Sequence, residues 1–361
     1  MNRCLWLLLL VAGCWQVPVA GAQDPAKKIN VNIYGATDYT INKTNGKTNA
    51  FFTLGEQDFF VTSRLSDRVS FLGETVVRPD SKTGTTFGAS VERAQIKYDY
   101  SATGNHSILV GKMHSPVNYW NDVYHHGRLF FPTIDRPIVF SHFIPLHTMG
   151  VRLQGQNIGS SNFGYDLMVG NGISSSDFNK TGTNFSYTAS VHVKPMDGMR
   201  IQTGYYRDVI TNSFSGPHSG HSQNQAIYKR PVQFNLYSLS FAYFKSGFEL
   251  LSETSLNITR TDSLGRATNF STYLYMGKRL SDTSVPYLLV DLINVSDDEL
   301  HVRHLDKFQL GLGYRHEFNA QMNLKVQVMR LTDIHDNSKY GELPIPEDEK
   351  YFFKIQLAYA L

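Results

Sequence analysis

From Ile29 to its last residue the chain alternates apolar and polar positions with a period of two, in stretches of about ten residues. Clusters of Gly, Asn, Ser, Asp or Pro separate the stretches. A period of two fits strands and does not fit helices, whose apolar faces recur every 3.6 residues. The last stretch is the clearest: Tyr351, Phe353, Ile355, Leu357, Tyr359 and Leu361 share one face, and Phe352, Lys354, Gln356, Ala358 and Ala360 share the other. Applied throughout, this template predicts about sixteen strands. They lie near 29–37, 57–64, 68–77, 89–101, 107–115, 147–158, 162–172, 183–194, 199–209, 233–243, 246–258, 268–279, 284–295, 308–317, 320–330 and 351–361.

The connections between these stretches alternate in length. Short turns follow even-numbered strands, such as Leu65-Ser66-Asp67, Gly159-Ser160-Ser161, Pro195 to Gly198, Lys278 to Asp282 and Phe318-Asn319. Longer polar loops follow odd-numbered ones: Asp38 to Glu56, Arg78 to Gly88, Ile210 to Val232, Ser296 to Lys307 and Leu331 to Lys350. A soluble sandwich has no reason to keep its long loops at one end, whereas a barrel of the bacterial outer membrane has short periplasmic turns and long external loops. Strands of this length, tilted, match the apolar thickness of a bilayer, and closure satisfies every backbone hydrogen bond and removes the sheet edge. A soluble barrel would also fill its interior with apolar side chains, but the second face here is largely Ser, Thr, Gln, Asn, Arg, Lys and Glu. The expected fold is therefore all-β: a transmembrane antiparallel β-barrel whose strand number leaves an aqueous lumen.

The first residues, MNRCLWLLLLVAGCWQVPVAGAQD, read as an export signal: Arg3, an apolar run from Leu5, and a small-residue site at Ala20-Gly21-Ala22. Residues 1–22 are assigned to the signal and 23–361 to a single barrel domain. Val11-Ala12-Gly13-Cys14 offers a competing lipoprotein-type site. The two cysteines, Cys4 and Cys14, both fall in this segment, so cleavage after Ala22 leaves no thiol for a disulfide or metal. Cleavage removes one positive charge from a net of only +3, too little to favour a nucleic-acid partner. No stretch is long and apolar enough for a membrane-spanning helix, so insertion must be by strands.

The segment from Pro116 to Pro145, after the fifth strand, is the longest connection. It carries Tyr119, Trp120, Tyr124, Phe130, Phe131 and Phe140, the pair His125-His126, and Arg128, Asp135 and Arg136. A structureless connection of this length in a compact fold is expected to be functional. With the alternating strands, this long third loop resembles the general diffusion porins of Gram-negative bacteria. The phrase VGKMHSPVNYWNDVYHHGRLFFPTIDRP is also similar to barrels of the phosphate-selective porin superfamily. The resemblance implies that the loop folds into the lumen and narrows it. Trp120 and its aromatic neighbours would then anchor it to the wall, with His125, His126, Arg128, Asp135 and Arg136 facing water at the constriction. It also implies a homotrimer in the outer-membrane bilayer, passing small hydrophilic solutes or ions.

On the polar face of the strands the alternation places Arg64, Arg68, Arg93, Lys97 and Arg152 near the launch of this loop, with Glu74 opposing them. Lys112, Lys194, Arg200, Arg315, Lys325 and Lys354 follow on the basic side, and Asp99, Asp166, Glu249, Glu253 and Glu317 on the acidic side. Such rings set ion selectivity. Two outcomes stay open: a basic ladder with mild anion preference, or cross-strand pairing that leaves the lumen nearly neutral. A dedicated phosphate channel would need a denser ladder.

No catalytic residue, cofactor or metal is assigned. His106, His114, His142 and His147 lie near His125-His126 in sequence, but no HExxH or spaced Cys/His pattern accompanies them. Outer-membrane phospholipases and proteases set the enzymatic alternative, and His106-Ser107 and the acids around His335 are fragments without a spacing that implies a catalytic arrangement. TonB-dependent receptors need more strands and a plug domain than the length allows. The function expected is passive diffusion through an outer-membrane porin with mild anion preference. A closed structural or adhesive barrel is the alternative.

Overall fold

The computed structural model describes residues 29–44, 46–79, 87–125, 127–141, 144–173, 175, 184–210, 231–262, 265–296, 298, 306–333 and 349–361. The signal, both cysteines, His126, His142 and His335 lie outside the described residues, as do most of the loops read at 210–232, 296–307 and 331–350.

The strands are β1 Ile29–Thr44, β2 Lys47–Arg64, β3 Val69–Pro79, β4 Phe87–Asp99, β5 His106–His114, β6 His147–Ile158, β7 Phe163–Gly170 and β8 Ser186–Val193. They continue with β9 Met199–Ile210, β10 Val232–Lys245, β11 Phe248–Thr261, β12 Gly265–Lys278, β13 Ser284–Asn294, β14 Lys307–Asn319, β15 Met322–Asp333 and β16 Glu349–Ala360. Each stretch read from the sequence overlaps one of them. Every strand pairs antiparallel with its sequence neighbours, and β16 returns to β1 from Tyr34↔Ala360 to Thr44↔Lys350, closing the barrel. Closure gives each backbone group a ladder partner and leaves no edge.

Alternation separates the two surfaces. Val110, Val151, Val169 and Tyr187 are paired directly across β5 to β8 and are 52%, 46%, 43% and 52% exposed. Leu239, Leu312 and Val328 continue an apolar outer surface on other strands. In water such a surface would drive association, whereas acyl chains solvate it. On the opposite face of β11, Glu249, Leu251, Glu253, Ser255, Asn257 and Thr259 are all buried. The inner face is less uniformly polar than expected, because Tyr206, Phe234, Tyr273, Tyr275 and Tyr287 are buried on it as well.

The loop-length rule needs two corrections. Residues 38–56 do not form a long loop, because Thr37 to Thr44 stay in register with Leu54 to Lys47 and extend β1 and β2 beyond a bulge at Gly35/Thr37. The connection from β11 to β12 is likewise a tight hairpin, Thr261 pairing with Gly265. In both, β-favouring residues such as Thr, Phe and Ile continue the ladder past the point where polar composition suggested a loop. At the opposite end the turns are short as read. Ser246 (φ 57) and Gly247 (φ 74) both take left-handed backbone between β10 and β11, the pattern of a type I′ turn.

Candidate functional site

The β5–β6 connection runs from Ser115 to Leu146 and carries a one-turn helix, α1 Tyr119–Val123, and two 3₁₀ turns, Arg128–Phe130 and Ile138–Ser141. Asn118 caps α1, its side chain accepting from Asn121 N at 3.2 Å. With so little regular structure, most of the segment's backbone groups lack local partners and must find them elsewhere.

Polar side chains of the barrel wall supply them. Trp120 N donates to Glu253 Oε1 of β11 (3.0 Å) and Tyr119 N to Ser240 Oγ of β10 (3.3 Å). Gly127 N donates to Asp58 of β2 (2.8 Å), Ile138 N to Asp291 of β13 (2.5 Å) and Ile134 N to Gln327 of β15 (3.2 Å). In the other direction Arg315 of β14 donates to Pro132 O, and Asn323 and Lys325 of β15 donate to Leu129 O and Arg128 O. The aromatics complete the attachment. Trp120 and Phe131 are fully buried, and Trp120 meets Phe131, Tyr124 and Tyr273 with ring centroids 5.3 to 5.6 Å apart.

Of the set expected to face water, His126 lies outside the described residues, and Arg128, Asp135 and Arg136 are half-buried and engaged by partners. Arg136 grips Glu56 with both guanidinium nitrogens, at 3.1 and 2.8 Å, and lies over the rings of Phe131 and Phe140. Arg128 reaches the same Glu56 at 3.3 Å and also lies over the Phe131 ring, 5.1 Å from its centroid. Asp135 is held by Lys354 at 2.7 Å and Gln327 at 3.2 Å. Desolvation of so many charges and rings favours pairing over exposure. His125 is buried, 3% exposed.

The wall charges pair in the same way. Arg93 bonds Glu74, Arg152 sits 2.7 Å from Asp166, Lys97 3.0 Å from Asp99, and Arg315 makes a two-pronged contact with Glu249 at 2.7 and 2.9 Å. Asp122 of α1 joins Arg152 (3.4 Å) and Arg200 (2.9 Å). Burial alone would raise its carboxyl, yet the two guanidinium groups hold it below the ordinary range. Arg64 is the last residue of β2 and Arg68 immediately precedes β3, so both are exposed at the end of the wall beside the β2–β3 turn, Arg64 pairing with Asp67.

Sequence reasoning missed acids. Glu56, assigned to a loop, meets three arginines, Arg78, Arg128 and Arg136; Glu92 is buried beside Arg78 because a bulge opposite Glu74/Thr75 shifts the phase of β4. Asp58, Asp208 and Asp291 are buried on inner faces, and a lone Asp in the otherwise apolar run SVPYLLVDLIN was a usable signal for the last.

Three recesses open among these residues beside the short turns. One of about 760 Å³ is lined by Arg64, Arg68, Lys97 and Asp99, one of about 600 Å³ by Tyr119, Tyr124, Lys194 and Arg200, and one of about 250 Å³ by Phe131, Glu249, Arg315 and Glu317.

The histidines divide into two groups. His106 contacts Tyr165 Oη at 3.1 Å while Ser107 donates to Asp99 at 2.6 Å, so neighbours on one strand point apart and make no catalytic pair. His114, at the end of β5, His147, at the start of β6, and His125, just past α1, converge instead.

No family model and no curated protein matches the sequence. Solved structures match the fold. An anion-selective porin from Comamonas acidovorans aligns with a TM-score of 0.63 at 12% identity, covering 92% of this chain and 100% of that one. The trimer form of OmpT, an outer membrane protein of Vibrio cholerae, aligns at 0.59 and 10% identity, covering 92% and 99%. The outer membrane channel DcaP of Acinetobacter baumannii aligns at 0.60 and 12% identity, covering 92% and 97%.

Proposed function

We propose that this chain, a closed sixteen-stranded barrel with the fold of the bacterial outer-membrane porins, is an outer-membrane channel for passive diffusion of small hydrophilic solutes and ions, with the Ser115–Leu146 segment folded into the lumen as its constriction. The observation that carries this reading is the spread of the segment's hydrogen-bond partners. They lie on β2, β10, β11, β13, β14 and β15, and a single segment meets side chains around a closed sheet from within. Passive permeation asks for no cofactor, catalytic group or energy source. A homotrimer is part of the proposal, supported by the trimeric form of one structural neighbour and by the apolar outer surface available to sister barrels.

The anion preference is assigned to the short-turn mouth. Deeper in the barrel most of the wall cations named above are paired with carboxylates, whereas in the short-turn recess the cations Arg64, Arg68 and Lys97 outnumber the acids Asp67 and Asp99, and Arg64 and Arg68 are exposed. Single-channel recording in a planar bilayer under a salt gradient tests both claims. Discrete steps with a reversal potential on the anion side are expected, and neutralising Arg64, Arg68 and Lys97 together is expected to move that potential toward zero. Steps with an unchanged potential in the triple variant would remove the mouth from the selectivity argument.

A closed barrel is the second reading, favoured by full burial of Asn257, Asn269, Lys325, Gln327 and Gln356 on the inner face. Correctly folded protein that never conducts would establish it in place of the channel.

A further inference from the structure

We infer that His114, His125 and His147 form a binding site for one divalent transition-metal ion, with Zn²⁺ the best match. The three residues are 5%, 3% and 2% exposed, and one ring nitrogen from each lies within 4.8 Å of the others. Ring centroids are 4.0 Å apart for His114 and His125, 4.3 Å for His125 and His147, and 5.2 Å for His114 and His147. Nitrogen ligands of a tetrahedral zinc sit about 2.0–2.1 Å from the ion. The ligand nitrogens of such a site are about 3.4 Å apart, and with all three nitrogens here within 4.8 Å of one another the rings would draw together around the ion.

The surroundings orient the His125 ring as a metal site requires. The amide nitrogen of Asn121 faces three backbone carbonyls, Ser115 O at 2.8 Å, Leu146 O at 3.1 Å and Pro145 O at 3.5 Å. Its oxygen is thereby turned to His125 Nδ1, 2.6 Å away, and must accept from it. That bond places the His125 proton on Nδ1 and leaves Nε2 as a lone-pair donor. Carboxylates stand behind the other two rings: Glu92 is 3.1 Å from His147 Nε2 and Glu74 3.9 Å from His114 Nε2. Metal-bound imidazoles are commonly held by such partners. Both carboxylates also bond arginines, Glu92 to Arg78 and Glu74 to Arg93, and Glu56 lies 3.9 Å from Arg78, so the charge around the site is fixed.

The placement gives the ion a mechanical role. His114 and His147 pair directly across β5 and β6 at the two feet of the connection, and His125 follows α1 in its middle. A single ion would tie both feet to α1, restraining the segment that the channel reading makes the constriction. The metal site itself stands without that reading.

The test uses the full mature chain, folded in detergent, stripped with a chelator and titrated with Zn²⁺ against a chromophoric competitor, then with Co²⁺. One equivalent of Zn²⁺ per chain is expected, along with the visible d–d bands of a low-symmetry cobalt site carrying imidazole nitrogens. Affinity should fall below about pH 6.5 as the imidazoles protonate. His125→Gln is expected to weaken binding at least about tenfold, as lost metal-site partners do, while His106→Gln keeps it. Mobility shift on heating in a detergent gel checks that each variant has folded. Folded wild type that takes up no equivalent of Zn²⁺, or a folded H125Q that binds as wild type does, would overturn the site. Because the readouts are stoichiometry and spectra, a protein that binds metal but never conducts would refute the channel and leave the site standing.

Discussion

Arg136 concentrates several contacts in one side chain: two bonds to Glu56, a donation to His125 O at 2.7 Å, and its flat face against Phe131 and Phe140. A guanidinium can do all of this at once because it is planar and offers donors in a fixed fork. Lysine offers a point charge and no plane. Arg136→Ala is expected to cost about 3 kcal/mol, the scale of a broken buried ion pair, read as a lowered urea midpoint for loss of the heat-resistant form. Arg136→Lys should recover only part of it. An alanine variant that unfolds at the wild-type midpoint would mean that Arg128, also on Glu56, suffices alone.

At the scale of elements, the strands were legible and the ends of some were not. Alternation along Tyr351 to Leu361 or Ser284 to Asn294 is a local property, and the ladder follows it. The β1–β2 hairpin was misread because Asn42, Lys43, Asn49 and neighbouring Thr residues are polar on a solvent-exposed ribbon, although β1 stays paired with β2 and β16 as far as Thr44. Polarity there reports solvent, not loss of strand. The candidate site was legible in outline, since the aromatic density of residues 119–140 marked it and Trp120 is buried as an anchor. Its charge pattern was not, because pairing between Arg136 and Glu56 or Lys354 and Asp135 joins residues far apart in the chain. The histidine cluster was hidden for the same reason: adjacency misled at His125-His126, while His114, His125 and His147 meet only in space. If the ribbon is peripheral to the channel, removing residues 41–51 with a two-residue turn in their place should leave unit conductance within about twofold. A larger change in bilayer recordings would bring the ribbon into the pore.

At the scale of the whole molecule, closure makes the first and last strands neighbours, with Ile33 N and O bonding Leu361. The apolar outer surface and the polar, aromatic interior then invert the usual arrangement of a soluble protein. Wall side chains serve as backbone partners for an irregular segment, and many of those polar wall residues, Glu253 and Gln327 among them, are buried. A few bonds of that kind would hold the segment loosely. Their distribution around the sheet holds it in one orientation.

Glu56 and Asp58 of β2 are upstream partners of the β5–β6 connection, but most of its partners lie downstream, on β6 and on β9 through β16, as with Lys354 on Asp135. Order in time follows from this order in the chain. Contacts of such long sequence separation form late in folding, since loop-closure entropy must be met first. The connection can gain its full set of bonds only as β16 seals against β1. The three tryptophans of the chain are Trp6, Trp15 and Trp120, so after removal of residues 1–22 Trp120 alone would report on this region. During refolding into lipid vesicles, the final change in tryptophan emission is expected to coincide with formation of the heat-resistant barrel. An emission change complete well before that would show the aromatic anchor docking on an open sheet.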